Sequence, residues 1–191
     1  MGFCLMNNIA VTAHELTTRG ERVAIVDLDA HHGNGTQDVF YERDDVLFIS
    51  LHEWPLYPGT GSVTESGAGA GRGSTINVPL PAGSAGAAYR EAFERVVAPA
   101  LGGYAPTWVL VSRGYDAHRA DPLTGLGLGS ADFGDLVARV RRATPPGRLV
   151  LFLEGGYDLE ALEASVASSV ASLLDAPRPP DAGSDRSGSG V

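Results

Sequence analysis

Cysteine is nearly absent from this chain. Its single instance, Cys4, excludes an internal disulfide and a four-cysteine zinc site, and it implies a reducing environment. Long hydrophobic runs are missing as well: none reaches the roughly 18 residues of a membrane span. The N-terminus has neither the basic start nor the long apolar stretch of a signal peptide. Together these absences lead to the expectation of a cytoplasmic protein with no membrane partner. Positive charge is scarce, with 14 Lys+Arg against 23 Asp+Glu and a formal net charge of −9. That argues against direct nucleic-acid binding, which needs a basic surface to displace counterions from phosphate. It favours a cationic partner, although net charge describes no single pocket.

What remains is an ordinary globular composition, 43% hydrophobic and 19% charged. A chain of 191 residues buries a substantial core without staples. Four short apolar runs read as buried strands: 22–27 (RVAIVD), 46–51 (VLFISL), 108–112 (WVLVS) and 148–153 (RLVLFL). Continuous rather than alternating apolar runs suit a parallel sheet covered on both faces. Residues 75–80 (TINVPL) form a fifth candidate, which Pro79 assigns to a sheet edge. Helical spacing of apolar residues marks 8–17, 87–100, 131–142 and 159–174, with Ser130 and Asp158 as candidate N-caps. The alternation predicts an α/β fold, a three-layer arrangement around a mainly parallel sheet. Residues 53–74 read as a long Gly- and Pro-rich functional loop, with the glycine-rich 67–73 as a mobile rim. Residues 1–175 form the domain, and 176–191, with almost nothing to bury, read as a disordered tail.

The chemistry is concentrated at three strand ends. Directly after the first strand comes Asp27-Leu28-Asp29-Ala30-His31-His32-Gly33-Asn34-Gly35. In parallel α/β sheets ligands bind at the C-terminal ends of strands. Strand geometry puts Asp27, Asp29 and His31 on one side of the chain. Two carboxylates and an imidazole are costly to desolvate together unless a cation joins them. Carboxylate and imidazole donors without a thiolate suit zinc or iron(II) in a catalytic site. A further ligand is required, and the candidates are Asp116 and, less well placed, His118, both following the strand at 108–112. The third strand end carries Leu153-Glu154-Gly155-Gly156-Tyr157. Its glycines let the backbone approach a ligand closely. Tyr157 is positioned to aim its hydroxyl at a substrate carbonyl, an oxyanion-type contact that is worth about 2.7–4 kcal/mol in other enzymes. The run 67–73 is not a phosphate cradle, because it precedes a strand rather than following one into a helix.

The stretches GFCLMNN (2–8), DLDAHHGNGTQDVFY (27–41), SLHEWPLYPGTG (50–61), TINVPLPAG (75–83), DAHRADPL (116–123) and LEGGY (153–157) resemble the histone deacetylase family in its bacterial, class II-like form. The resemblance runs from residue 2 to about residue 175. It implies the arginase/deacetylase fold and hydrolysis of N-acetyl amides, of an acetylated lysine peptide or of a small acetylated amine such as a polyamine. It implies Asp29, His31 and Asp116 as zinc ligands. It implies a structural monovalent-cation site, usually potassium, at Asp27, Ser50 and Leu51 together with Asp29 and His31. Phe3 and Tyr57 match the aromatics that line the acyl-lysine tunnel, and Gly2 matches a carbonyl that accepts the substrate amide N–H. Gly155 lies in the substrate-contacting glycine pair, and Tyr157 matches the tyrosine that polarises the acetyl carbonyl. His32 and Asn34 match residues that support the metal site without binding the ion.

Two departures accompany the resemblance. The family carries a Pro-Gly-His-His motif shortly before the Gly-Phe-Cys stretch, and its tandem histidines act as general base and acid. This chain opens at Met1-Gly2 without them, so the fold is expected to be incomplete at the N-terminus. A general base contributes about 10²–10⁴-fold, and no residue of this sequence replaces it. Arg113 stands where relatives carry a small residue, and a cation there would compete with the metal unless it points away. The readings left open are a zinc-dependent deacetylase, an acetylpolyamine amidohydrolase, and a catalytically impaired protein that binds metal or acyl-lysine. The oligomeric state is open as well.

Overall fold

Every strand anticipated from the apolar runs forms. They are β1 (Val23–Asp27), β2 (Val46–Glu53), β3 (Thr75–Leu80), β4 (Trp108–Arg113) and β5 (Leu149–Leu153). The computed structural model describes residues 5–174, so Gly2, Phe3, Cys4 and the stretch 176–191 lie outside the described residues. The five strands make one sheet in the order β3-β2-β1-β4-β5, and each pairing is parallel. β3 is an edge strand, where Pro79 leaves no inner ladder bond unmade.

The runs are apolar throughout because both faces are covered. On one face Val26, Ile49 and Val111 pack against Tyr89, Phe93, Leu101, Phe133 and Leu136. These come from α3 (Gly86–Ala92), α4 (Ala98–Tyr104), the wider π turn Phe93–Val97 that joins them, and α5 (Ser130–Arg142). α6 (Leu159–Leu174) adds Leu162 and Val166. On the other face Ile25, Phe48 and Leu110 pack against Ile9 and Ala13 of α1 (Asn8–Thr18) and Phe40 of α2 (Asn34–Phe40). The result is the anticipated three-layer α/β fold.

The helix boundaries show where sequence signals succeed and fail. Asp158 caps α6 as expected, its carboxylate accepting from the Ala161 N–H at 2.8 Å. At α5 the expected cap is corrected: Gly129 holds the N-cap position, Ser130 is inside the helix, and the Asp132 carboxylate accepts from the Gly129 N–H at 2.9 Å. α2 went unforeseen. The glycine-rich 67–73 is also corrected. It packs under the end of α2, with Ala68 N–H donating to Tyr41 O at 2.8 Å, and it leads into the start of β3, away from the strand ends that carry the chemistry. Among the described residues no helix is long and apolar enough to cross a membrane.

The chain reverses direction at the centre of the sheet. From β1 it steps outward through β2 to β3, then returns to the other side of β1 as β4 and continues to β5. The boundary between β1 and β4 is therefore a topological switch point, where the loops leaving adjacent strands part and open a crevice.

Candidate metal centre

The loops after β1 and β4 bring Asp29, His31 and Asp116 into that crevice. Each offers one donor atom, and the three atoms lie within 4.8 Å of one another. His31 Nδ1 is 2.8 Å from Asp116 Oδ2 and 3.3 Å from Asp29 Oδ1. A tetrahedral ion with ordinary zinc–ligand bonds separates its ligands by about 3.3 Å, so the donor set fits a single metal ion. Of the two candidates Asp116 and His118, the geometry brings Asp116 into the donor cluster. The His118 ring accepts from the Ala120 N–H at 3.1 Å and pairs with Ser130 Oγ at 3.2 Å, and it does not belong to the cluster.

Backbone amides hold the carboxylates in place. Asp116 Oδ1 accepts from the Ala30 N–H at 2.8 Å, which ties the end of β4 to the end of β1. Asp29 Oδ1 accepts from the His31 N–H at 2.8 Å, and Asp29 Oδ2 accepts from the Gly155 N–H at 3.0 Å. Gly155 must be glycine here. A β carbon would stand 2.5 Å from Asp116 Oδ2 and 2.9 Å from Asp29 Oδ2. What the Gly155 backbone approaches is the pair of carboxylates, and its amide is committed to one of them.

The electrostatics are those of an anionic cluster that has recruited a proton. The Asp116 hydrogen bond, then that of Asp29, pushes the His31 imidazole up to about 10. Burial raises the Asp116 carboxyl to about 6. Burial also opposes ionisation of Asp29, but hydrogen bonds from His31 and Gly155 outweigh it and hold that carboxyl low. Asp27 is buried beside them, and desolvation, then the charge of Asp29, drives its carboxyl well above the usual range. It lies opposite Ser50 in the β1–β2 register, and Ser50 and Leu51 are buried with it. No ion pair reaches Asp27 among the described residues.

A cleft of about 910 Å3 opens over the triad, lined by Asp29, His31, Gly155, Tyr57, Leu123 and Tyr157 among others. Tyr57 and Tyr157 are both substantially exposed. Asn34, at the start of α2, is buried at its wall. Glu154 also lines it; Ser112 Oγ donates to this carboxylate at 3.1 Å, and burial raises its pKa.

His32 faces away from the metal ligands into a buried polar network that the sequence did not disclose. Its ring contacts Thr60 Oγ1 at 2.8 Å and Gln37 Oε1 at 3.0 Å, and lies 4.8 Å from the His52 ring. His52 is fully buried between Ser50 Oγ (2.9 Å) and Gly61 O (3.0 Å), and burial pulls it down to about 4. The Glu65 carboxylate closes the network. It accepts from the N–H groups of Gly61 (3.1 Å) and Ser62 (3.0 Å) and from Gln37 Nε2 (2.6 Å). Asn77 Nδ2 donates to Gln37 Oε1 at 2.8 Å. These bonds fold the segment carrying Tyr57 back onto the strand ends.

Comparison with known proteins identifies the family. The histone deacetylase domain family matches residues 1–173. The chain is 48% identical over 182 residues to histone deacetylase 10, chloroplastic, of Oryza sativa subsp. japonica, covering 93% of this chain and 41% of that protein. It is 41% identical over 175 residues to the acetylpolyamine amidohydrolase of Burkholderia pseudomallei, covering 87% and 49% respectively. The crystal structure of the HDA15 HD domain superposes with a TM-score of 0.88 at 39% identity, over 92% of this chain and 52% of that one. The chain thus spans about half the length of the relatives it matches. On the match across its length and the fold it shares, the chain belongs to the histone deacetylase family.

Proposed function

We propose that this chain supplies the metal-binding part of a zinc-dependent amidohydrolase that removes acetyl groups from acetyl-lysine or a related acetylated amine. The observation that carries this reading is the convergence of Asp29, His31 and Asp116, the first two of which line an open cleft. In this reading those three side chains hold the ion; iron(II) suits the same donors. A zinc ion held there supplies Lewis acidity, which polarises a carbonyl and acidifies water. Binding requires the proton on His31 Nδ1 to leave. Asp27, Ser50 and Leu51, with Asp29 and His31, hold a monovalent cation, potassium by family resemblance. The buried Asp27 carboxylate, without an ion pair among the described residues, supports that assignment.

Tyr157, on the cleft wall, donates its hydroxyl to the acetyl oxygen and stabilises the charge that develops there. Tyr57 at the mouth packs against the acyl-lysine stem, with Phe3 as its partner and the Gly2 carbonyl accepting the substrate amide. His32 and Asn34 support the site. Proton transfer to and from water is the role for which this sequence offers no residue. An acetylated polyamine is the second substrate reading. It is supported by the Burkholderia pseudomallei relative that bears that name and by the net charge of −9, which favours a polycation.

The test loads the chain with zinc and follows deacetylation of an acetyl-lysine reporter and an acetylated polyamine, comparing wild type with Tyr157→Phe. The chain contains no lysine, so any acetyl-lysine turned over comes from the added substrate. Turnover above the variant is expected. Zinc binding with no turnover above Tyr157→Phe on either substrate overturns the enzyme reading and leaves a metal- or acyl-binding protein. Unchanged zinc binding in Asp29→Ala and Asp116→Ala overturns the ligand assignment.

A further inference from the structure

Arg113 is the last residue of β4, and strand alternation sends its side chain to the face opposite Ser112. Ser112 meets Glu154 at the cleft. Arg113 goes instead into the helical layer behind the metal site, where it is 1% exposed. Its guanidinium lies between two rings, 5.0 Å from the Tyr115 centroid and 4.5 Å from that of Phe133. Nη2 donates to Phe133 O at 3.2 Å and Nη1 makes a long bond to Gly114 O at 3.4 Å. Nε is buried with no hydrogen-bond partner. No carboxylate comes within ion-pair distance of the guanidinium among the described residues.

A buried cation without a paired anion is costly. The two rings offset part of that cost, and the Asp116 charge acts in the same direction. A β carbon on Gly114 would stand 2.2 Å from Asp29 Oδ2 and 2.6 Å from Asp29 Cα. The residue whose carbonyl takes the Arg113 hydrogen bond is therefore packed directly against Asp29. Asp116, fully buried, follows two residues later. Arg113 sits one peptide unit behind a cluster of carboxylates whose contacting cation is His31, which must lose its proton when an ion binds. Burial lowers its pKa to about 10, with Tyr115, Tyr89 and Asp116 acting against that fall, so it stays charged at neutral pH.

We propose that Arg113 is a built-in counter-charge of the metal site, offsetting the Asp29–Asp116 carboxylates from behind and weakening their hold on a divalent ion. This rests on the metal-centre reading above. Inside a protein a buried fixed charge is poorly screened. It stabilises the carboxylates when no metal is bound and opposes an incoming dication. The affinity of the site is then set by a residue that touches neither metal nor substrate.

The test is a zinc competition titration of the full chain against a chromophoric chelator at neutral pH, with the zinc-induced shift in Tm as a second readout. Arg113→Met removes the charge and keeps much of the volume. It is expected to bind zinc about tenfold more tightly, equivalent to about 1.4 kcal/mol, and to show a larger zinc-induced Tm shift. Should Arg113→Met not fold, Arg113→Gln, which keeps a donor for Phe133 O, carries the same comparison. Phe133→Leu strips a ring from the guanidinium without removing its charge, and is expected to keep wild-type affinity. Wild-type affinity in the neutral Arg113 variant overturns the proposal, as does an equal gain in Phe133→Leu, which would mark a packing effect. A wild-type chain that binds no zinc overturns the metal-centre reading itself, and the two failures are thereby told apart.

Discussion

The backbone amide of Gly155 donates to Asp29 Oδ2 at 3.0 Å, joining residues 126 apart in the chain. Through it the loop after β5 helps to aim a carboxylate delivered by the loop after β1. The glycine thus positions a carboxylate of the candidate metal site.

Gly155→Ala should therefore damage metal binding first. Its β carbon would intrude on carboxylate oxygens of both Asp116 and Asp29. Losing a supporting contact of this type costs about 10–100-fold in metal affinity. Zinc titration by calorimetry checks this, and an alanine variant with wild-type affinity would refute the positioning role.

Metal affinity should climb with pH. Without metal, the hydrogen bonds from Asp116 and Asp29 keep His31 protonated up to about 10. Below that pH each ion that binds must expel the proton, so apparent affinity rises about tenfold per pH unit. Below about 6 Asp116 also takes up a proton, and the dependence steepens. Competition titrations between pH 6 and 9 in a non-coordinating buffer measure the slope, which a flat profile would contradict.

The same proton has the opposite effect on the metal-free fold. The folded pKa of His31 lies above its ordinary 6.5, so its stabilisation is complete below pH 6.5 and is lost as pH rises through about 10. Asp27, whose carboxyl is raised by burial, pushes in the same direction, since ionising it is costly in the folded state. Metal-free protein should show a falling Tm between pH 6.5 and 10, and zinc should flatten that fall. Differential scanning calorimetry of both forms tests the pair of trends.

Glu65→Gln should loosen the segment 54–66 without touching the metal ligands. Hydrogen bonds from Gln37, Ser62 and Gly61 hold the Glu65 carboxyl low against the effect of burial, and an amide in its place faces those donors with an N–H2 group. A lost charge-assisted network of this size costs about 1–3 kcal/mol, lowering Tm on the order of 5 °C. Zinc affinity should stay at the wild-type level while proteolysis within 54–66 accelerates.

Much of this arrangement was legible in the sequence because it is local. The strands announced themselves as short β-branched runs, and Asp29 and His31 stood at the end of one of them. Asp116 was legible on residues alone only as the better placed of two candidates; the β1–β4 pairing brings it, and not His118, to Asp29 and His31. α2 escaped notice because its seven residues, NGTQDVF, bury polar Asn34, Thr36 and Gln37 as well as Phe40, so no apolar stripe marks it. The Glu65–Gln37–Asn77 network escaped for another reason: its partners lie 28 and 40 residues apart. Arg113 read as a threat to the metal unless it pointed away. Its side chain does point away, between two rings that only the fold supplies, which leaves charge rather than contact as its means of acting on the site.

The strand order also bears on how the chain folds. The contacts that complete the metal site join His31 to Asp116, 85 residues away, and Asp29 to Gly155, 126 away. Such high-contact-order pairings pay loop-closure entropy before they return anything, and they form slowly. Helical signal should therefore precede competence to take up zinc during refolding, and metal uptake becomes a clock for the docking of β4 onto β1 and of β5 onto β4.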